Sequence, residues 1–462
     1  MLCDALPVRW RALALCACLA GTALTLRASV QPLAMSPGER ADLAARVRTE
    51  FLHAWHGYER LAWGHDELRP VSGTPHDWYR EPLHMTAVDA FDTMLLMGLQ
   101  EEAYRTRTFL VRELSFGKDI SVKTFEITIR LLGGLLSAYQ MTGEPRFLSL
   151  ADDLGTRLLP AFRSRTGMPY TFVNLKTGAT GGPESNPAEI GTLLLEFGTL
   201  ARLTGKHVYF DKAKTALRAV YERRAPTGLV GEGINVETGQ WTASASHVGG
   251  AIDSYYEYLV KCERLFDDAD CRAMARTSFE AIDTYLADTT ADGGLWYGVA
   301  DMQSGRRTAT TYGALHAFFP SVLVLRGQVE PARRLQESGV RMWALHGIEP
   351  EEFDYRTMQV VSASYQLRPE IVESAYYLFH ETRDPRYLEM GRTFFDALVR
   401  HCRVDNGYTV LTSVVAKQKG DLQHSFFLAE TLKYLYLLFA PEAFDFDAVT
   451  FNTEAHPLRR TW

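Results

Sequence analysis

Long apolar stretches at helical spacing run through this chain: VKTFEITIRLLGGLLSAY at 122–139, IGTLLLEFGTL at 190–200, LRPEIVESAYYLF at 367–379 and SFFLAETLKYLYLLF at 425–439. Three segments around their ends look alike: LLSAYQMTGEPRFL at 135–148, TLARLTGKHVYF at 199–210 and YYLFHETRDPRYL at 376–388. Each has an apolar helix end, a Thr-centred break containing Gly or Asp-Pro, and an aromatic that opens the next helical pattern, so each predicts a tight helix–helix turn. Thr142, Thr204 and Thr382 are spaced by 62 and then 178 residues, one and three periods of about 60. CERLFDDADC at 262–271 falls on the missing beat. A period of about 60 residues is one pair of helices, and the chain holds roughly seven pairs, which closed on themselves make one toroid. Strand signals are weak. WTASASHVGG at 241–250 and GYTVLTSVVA at 407–416 read as short extended pieces, and GLVGEGINVETGQW at 228–241 as a hairpin, all of them connections on one face of an all-α barrel.

The N-terminus departs from this pattern. Arg9 and Arg11 precede an apolar run from Ala12 to Leu26 of signal-peptide length, too short to span a bilayer comfortably, with small residues near Ala28 and Ser29. Residues 1–34 are therefore expected to be a signal peptide and 35–462 a single domain, since no linker or low-complexity tract divides the rest. The chain is 46% hydrophobic and 23% charged, enough for a large core. A net charge of −7 with dispersed Lys and Arg gives no field for nucleic acid. Cleavage would leave Cys262, Cys271 and Cys402. The first two are near enough to close a small loop in an oxidising compartment. Neither CxxC nor HExxH occurs, so no zinc-type ligand set is visible.

Acids recur inside the apolar helices, where a bare carboxylate costs several kcal/mol to bury. Glu126 and Arg130 lie four apart, Glu370 and Glu373 three apart after Arg368 and Pro369, Glu189 and Glu196 seven apart, and Asp89 and Asp92 three apart; Glu430 stands in 425–439. Any one of them can be an internal ion pair or a cap. Together, in a ring of helix pairs, they are expected to converge with Trp63, Trp78, Tyr255, Trp296 and Phe426 on an axial cavity. Carboxylates with aromatic platforms suit sugars, and glycoside cleavage needs one carboxyl to protonate the leaving oxygen and another to activate water.

The strings FEITIRLLGGLLSAY, GAIDSYYEYL, LRPEIVES, SFFLAETLKYLYLLF and FNTEAHPL, with AWGHDELRP and DAFDTMLLMGL, resemble glycoside hydrolase family 47, the class I α-mannosidases, in order from about residue 50 to 460. The resemblance implies an (α/α)7 barrel with short β-hairpins on one face, and inverting, Ca²⁺-assisted hydrolysis of terminal α-1,2-linked mannose in oligosaccharides or N-glycans. By motif, Glu126 is expected as general acid beside Arg130, Asp253 as a second catalytic carboxylate and Glu370 as the base that activates water. Thr453 would bind Ca²⁺ directly. Glu373, Glu430 and Glu454 would hold the ion's waters, the last two also touching mannose hydroxyls. Phe426 would stack on the sugar, with Arg368, Glu189 and His316 around it. A hard cation with oxygen ligands and waters suits these acids.

Two departures from the family matter. Ala251 stands where some members have a branch-contacting arginine. The cysteine after the His316 position is absent, with Phe318 and Phe319 there. The latter, with the short signal, implies a bacterial periplasmic or secreted protein, without a membrane span once the signal is cleaved; a monomer is expected. The rival readings are a mannose-glycan binder of the same fold that has lost turnover, and a sugar epimerase or isomerase, which would use histidines as acid and base. His380 and His424 are the histidines near the motifs, at positions that suit a capped or surface imidazole.

Overall fold

Thr142, Thr204 and Thr382 end their helices in one way. Each hydroxyl donates to the carbonyl four residues back (Ala138, Leu200 and Leu378, at 2.6, 2.7 and 2.6 Å) and accepts from the amide two residues on. The residue between is left-handed: Gly143, Gly205 and Arg383 at φ 71°, 72° and 55°. A threonine thus ties the last helical turn back on itself and satisfies the next free amide at once. At the missing beat the turn is Asp267, also left-handed at φ 52°. There a disulfide between Cys262 and Cys271 and an Asp268 cap on the Cys271 amide do the fastening, while Cys402 stays free and buried.

The structure, a computed structural model, describes residues 35–461; the expected signal segment, 1–34, lies outside the described residues. Among the described residues, an inner ring of helices at 85–96, 124–142, 187–204, Asp253–Phe266, 314–325, Glu370–Thr382 and 427–439 is wrapped by outer helices Gln100–Glu113, Pro145–Leu158, Val208–Glu222, Ala269–Tyr285, Val329–Ala344, Arg386–His401 and Pro37–Leu61. Each inner helix packs on the next and on its outer partner, and 85–96 meets 427–439 to close the ring. Sequence decides which helix goes where. Arg386–His401 buries one stripe, Tyr387, Leu388, Gly391, Phe394, Phe395 and Leu398, whereas Leu432–Phe439 is buried nearly all round, the mark of a helix with protein on every side.

Because the short turns all lie at one end, the inner helices run parallel, with their N-termini at the opposite face. The longer connections there carry short antiparallel sheets. One is the expected hairpin, with Ile234 opposite Trp241; Gly407–Tyr408 and Leu411–Ser413 are the other extended pieces.

The expectation of hairpins on one face fails at the C-terminus. Val449–Phe451 and Pro457–Arg459 pair antiparallel and run up the barrel axis from the short-turn end: the Arg459 amide bonds Gln140 near the end of helix 124–142, and Asn452 at the tip reaches the Ile129 carbonyl near its start. Asn452 Nδ2 also donates to Glu196, while its Oδ1 accepts from the Glu454 and His456 amides, fixing the loop that carries Thr453. The Gly-Gly of LLGGLL makes room. A Cβ on Gly133 would lie 2.6 Å from Asn452 Nδ2, and one on Gly134 2.8 Å from a Val88 methyl. Lys433 donates to the Ala455 carbonyl and pairs with Asp92 at 2.8 Å, and His456 lies between Asp89 and Asp92. Burial works against the Asp92 charge, but Lys433 and His456 pull its carboxyl down to about 2.

Candidate active site

Asp253 and Glu370 are each the first residue of an inner helix, Glu126 and Glu189 lie in the first turns of two others, and Phe426 immediately precedes a fifth. The N-terminal ends of parallel helices therefore bring these side chains to one mouth, where the helix dipoles favour negative charge. They line a cavity of about 300 Å³ together with Arg130, Arg368, Glu373, Glu430, Thr453 and Glu454. Arg130 and Glu430 sit on π-helical segments, Thr128–Leu132 and Phe427–Thr431, whose extra residue per turn re-aims side chains and recurs at functional sites.

Arg130 is the hinge of one wall. Its Nε donates to Glu126 Oε2 at 3.0 Å, its Nη1 bonds Glu454, and its guanidinium lies between the Trp78 and Phe426 rings, 5.3 and 5.6 Å from their centres. Burial opposes its charge, but Glu126, Asp89 and Glu430 more than offset this and raise its pKa. Across the cavity Arg368 is held by Glu351 at 3.1 Å and faces Phe426 at 5.9 Å. Glu189 accepts from Ser185 at 3.2 Å, and its amide is capped by Asn186.

The acids are not alike. Burial pushes Asp253 up to about 6, against a hydrogen bond from the Ser254 amide, and Glu370 up to about 7, against the pull of Arg368. One Glu370 oxygen is buried without a hydrogen-bond partner. Glu373 is raised by burial in spite of Lys261, and Glu430 is raised well above the usual carboxylate range by burial and then by the charge of Glu370.

Of the expected site residues all but His316 line this cavity; His316 lines a neighbouring recess. The wider convergence fails in part. Trp63 packs on Phe109, Trp296 stacks on Tyr355, and Tyr255 lies under Gly191, so all three belong to the core; Trp78 backs Arg130 rather than facing the cavity. Asp89, Asp92 and Glu196 are not on the wall either. They hold the axial hairpin through His456, Lys433 and Asn452. His424 stacks on Phe426 at 4.9 Å and His380 packs on Phe446, so neither histidine is placed as an acid or base in the cavity.

Sequence reasoning missed four residues. Glu257 lines the cavity and pairs with the fully buried Lys261, which also stands 3.8 Å from Glu373. Its spacing of four from Asp253, on the same helix face, was a usable signal. Glu351 holds Arg368. Glu349 is buried with neither oxygen bonded, its pKa raised well above the usual range by burial and by Glu370; nothing in the sequence marks it.

A carboxylate-rich cavity with an aromatic wall, at the helix N-termini of an α/α barrel, is the equipment of a glycoside hydrolase. Residues 50–460 match glycosyl hydrolase family 47. The chain is 37% identical to alpha-mannosidase I MNS4 of Arabidopsis thaliana, over 97% of this chain and 75% of that one. It is 36% identical to human ER degradation-enhancing alpha-mannosidase-like protein 2, over 92% and 78%. Its fold superposes on the alpha-1,2-mannosidase from Trichoderma reesei with a TM-score of 0.83 at 27% identity, covering 91% of this chain and 99% of that one. The chain belongs to glycosyl hydrolase family 47.

Proposed function

We propose that this protein removes terminal α-1,2-linked mannose from mannosyl oligosaccharides or N-glycans, with inversion and with Ca²⁺. The observation that carries this reading is the joint presence of Glu126, Asp253 and Glu370 around one cavity with Phe426 and Arg368, in a family whose relatives are named alpha-1,2-mannosidases. Glu126, oriented by Arg130, protonates the leaving oxygen. Glu370, held near neutrality by burial, takes a proton from the attacking water. Asp253 supports the charge of the leaving side. Phe426 stacks on the sugar's C–H face, and Arg368 and Glu189 bind its hydroxyls. Helices 124–142 and Glu370–Thr382 are the second and sixth of the inner ring, nearly opposite, which favours an acid and base far enough apart for a water between them.

The donor set fits calcium. Thr453 offers carbonyl and hydroxyl oxygens, and Glu373, Glu430 and Glu454 surround the same floor. Glu373 and Glu430 have raised pKa values where they stand, and a hard dication among their oxygens lets them ionise. Among the described residues, the three acid, His or Cys side chains close enough to grip an ion together are Cys262, Asp268 and Cys271, two of which are tied up in the disulfide. When bound, the ion supplies charge stabilisation and orients hydroxyls.

We take 35–462 as one catalytic domain, working as a monomer. No described helix is long and apolar enough to cross a membrane. The Cys262–Cys271 disulfide supports an oxidising compartment, a periplasm or the secreted medium. The test is release of mannose from α-1,2-mannobiose with and without a chelator. Release abolished by chelation and restored by Ca²⁺ is expected. Full activity after exhaustive chelation would remove the metal from the mechanism, and tight glycan binding without any release would favour the binder.

A further inference from the structure

The short-turn end of the barrel, away from the mouth, holds a second recess of about 520 Å³. It lies where the turn after helix Asp253–Phe266, the first half of helix Ala269–Tyr285, the end of helix 314–325 and the foot of the axial hairpin meet. Arg264, Arg272, Arg276, Arg326 and Arg460 line it, against two acids, Glu263 and Asp267. The chain as a whole carries a net charge of −7, so this is a positive patch on a negative protein.

Both acids are already engaged. Arg272 pairs with Glu263 at 2.6 Å and with Asp267 at 2.9 Å, and Arg264 reaches out to Asp447 at 3.5 Å. Among the described residues Arg276, Arg326 and Arg460 form no ion pair. Arg326 lies over the Phe279 ring, 4.0 Å from its centre, which fixes the plane of its guanidinium. Arg460 donates from Nε and Nη1 to the Arg264 and Asp447 carbonyls. Burial holds Arg326 below its ordinary value in spite of Asp283, Glu263 and Glu280, and burial and then Arg264 do the same to Arg460. Positive charge is crowded here without its counter-charge.

Helix capping does not account for the arrangement. Cations settle at helix C-termini, as Arg264 does, but Arg272 and Arg276 stand in the first half of a 17-residue helix, four apart on one face, where the dipole favours an anion. A guanidinium presents a fork of N–H donors that matches the oxygens of a phosphate. We propose that this recess is an anion site for a phosphomonoester, held by Arg276, Arg326 and Arg460, whether on a small soluble ligand or on a lipid headgroup. Because it lies at the end opposite the reaction cavity, its occupant leaves the mouth open, and the site does not depend on the mannosidase reading.

Calorimetric titration of the full chain with glycerol 3-phosphate at low ionic strength tests the site, beside cosedimentation with phosphatidylcholine vesicles with and without phosphatidic acid. The wild type should bind glycerol 3-phosphate, the phosphatidic acid vesicles or both, more weakly as salt is added, and should ignore glycerol and plain phosphatidylcholine. Arg276 is exposed and unpaired, so Arg276→Gln should fold as the wild type does and weaken binding about tenfold, the value of one charge-assisted contact. Arg326→Gln should weaken it similarly. Retention on phosphatidic acid vesicles assigns the site to a headgroup, and binding of glycerol 3-phosphate without retention assigns it to a soluble ligand. A wild type that binds neither probe, or an Arg276→Gln chain that binds as tightly as the wild type, overturns the proposal.

Discussion

Glu373 and Glu430 on the cavity wall and Asp92 and Glu196 behind it carry one signature in sequence, an acid inside an apolar helix. Their difference is what each meets. Asp92 meets Lys433 and His456 and Glu196 meets Asn452 and Tyr258, all structural partners, whereas Glu373 and Glu430 line the cavity. Spacing along a helix tells which acids share a face, but not whether that face looks at the cavity or at the hairpin, so the candidate site could be collected from sequence but not trimmed. Replacing Glu126 or Glu370 by Gln is expected to keep fold and sugar binding while turnover falls by roughly 10² to 10⁴; a near-normal rate in either variant shows that the wrong carboxylate was chosen. The pH profile follows from Glu370. As a base it must be ionised, and its pKa is raised to about 7, so it gains a proton and loses function as the pH falls through neutrality. The acid limb of kcat/KM should lie well above the ordinary carboxylate range. Because Arg368 opposes that rise, Arg368→Gln should move the limb to higher pH; an unmoved limb would separate Arg368 from the base.

At the scale of elements, the paired helices could be read from the chain because the turns at Thr142, Thr204 and Thr382 are local: a threonine, a left-handed residue and the first residues of the next helix do the bonding. The axial hairpin could not. Its strands are three residues each, its tip is polar, and what seats it is Asn452 against Ile129 and Gly133, more than 300 residues away in sequence. The π-helical segments under Arg130 and Glu430 were equally hidden, since no residue pattern separates them from α-helix. Gly133→Ala tests the seating. With the new methyl 2.6 Å from Asn452 Nδ2, the variant should lose about 1–3 kcal/mol of stability, and calcium should restore less of its Tm than in the wild type, because Thr453 is displaced. Wild-type Tm and an unchanged calcium response would show that the hairpin tolerates the contact and that the close approach is not what positions Thr453.

For the whole molecule, parallel inner helices put every N-terminus at the mouth and close the other end with the axial hairpin. Charge follows the same polarity: the carboxylates gather at the positive helix ends, and Arg202 and Arg264 stand in the last turns of their inner helices. The ring also places Glu126 and Glu370 on well-separated helix pairs, so the account as a whole depends on water attacking from the side opposite the leaving oxygen. Proton NMR of the first sugar released from an α-1,2-mannoside tests that directly. β-Mannose should appear first and convert to α only as mutarotation proceeds. α-Mannose appearing first would require a nucleophile against the anomeric carbon, about 5 to 5.5 Å from the acid, and would contradict the roles given to Glu126 and Glu370.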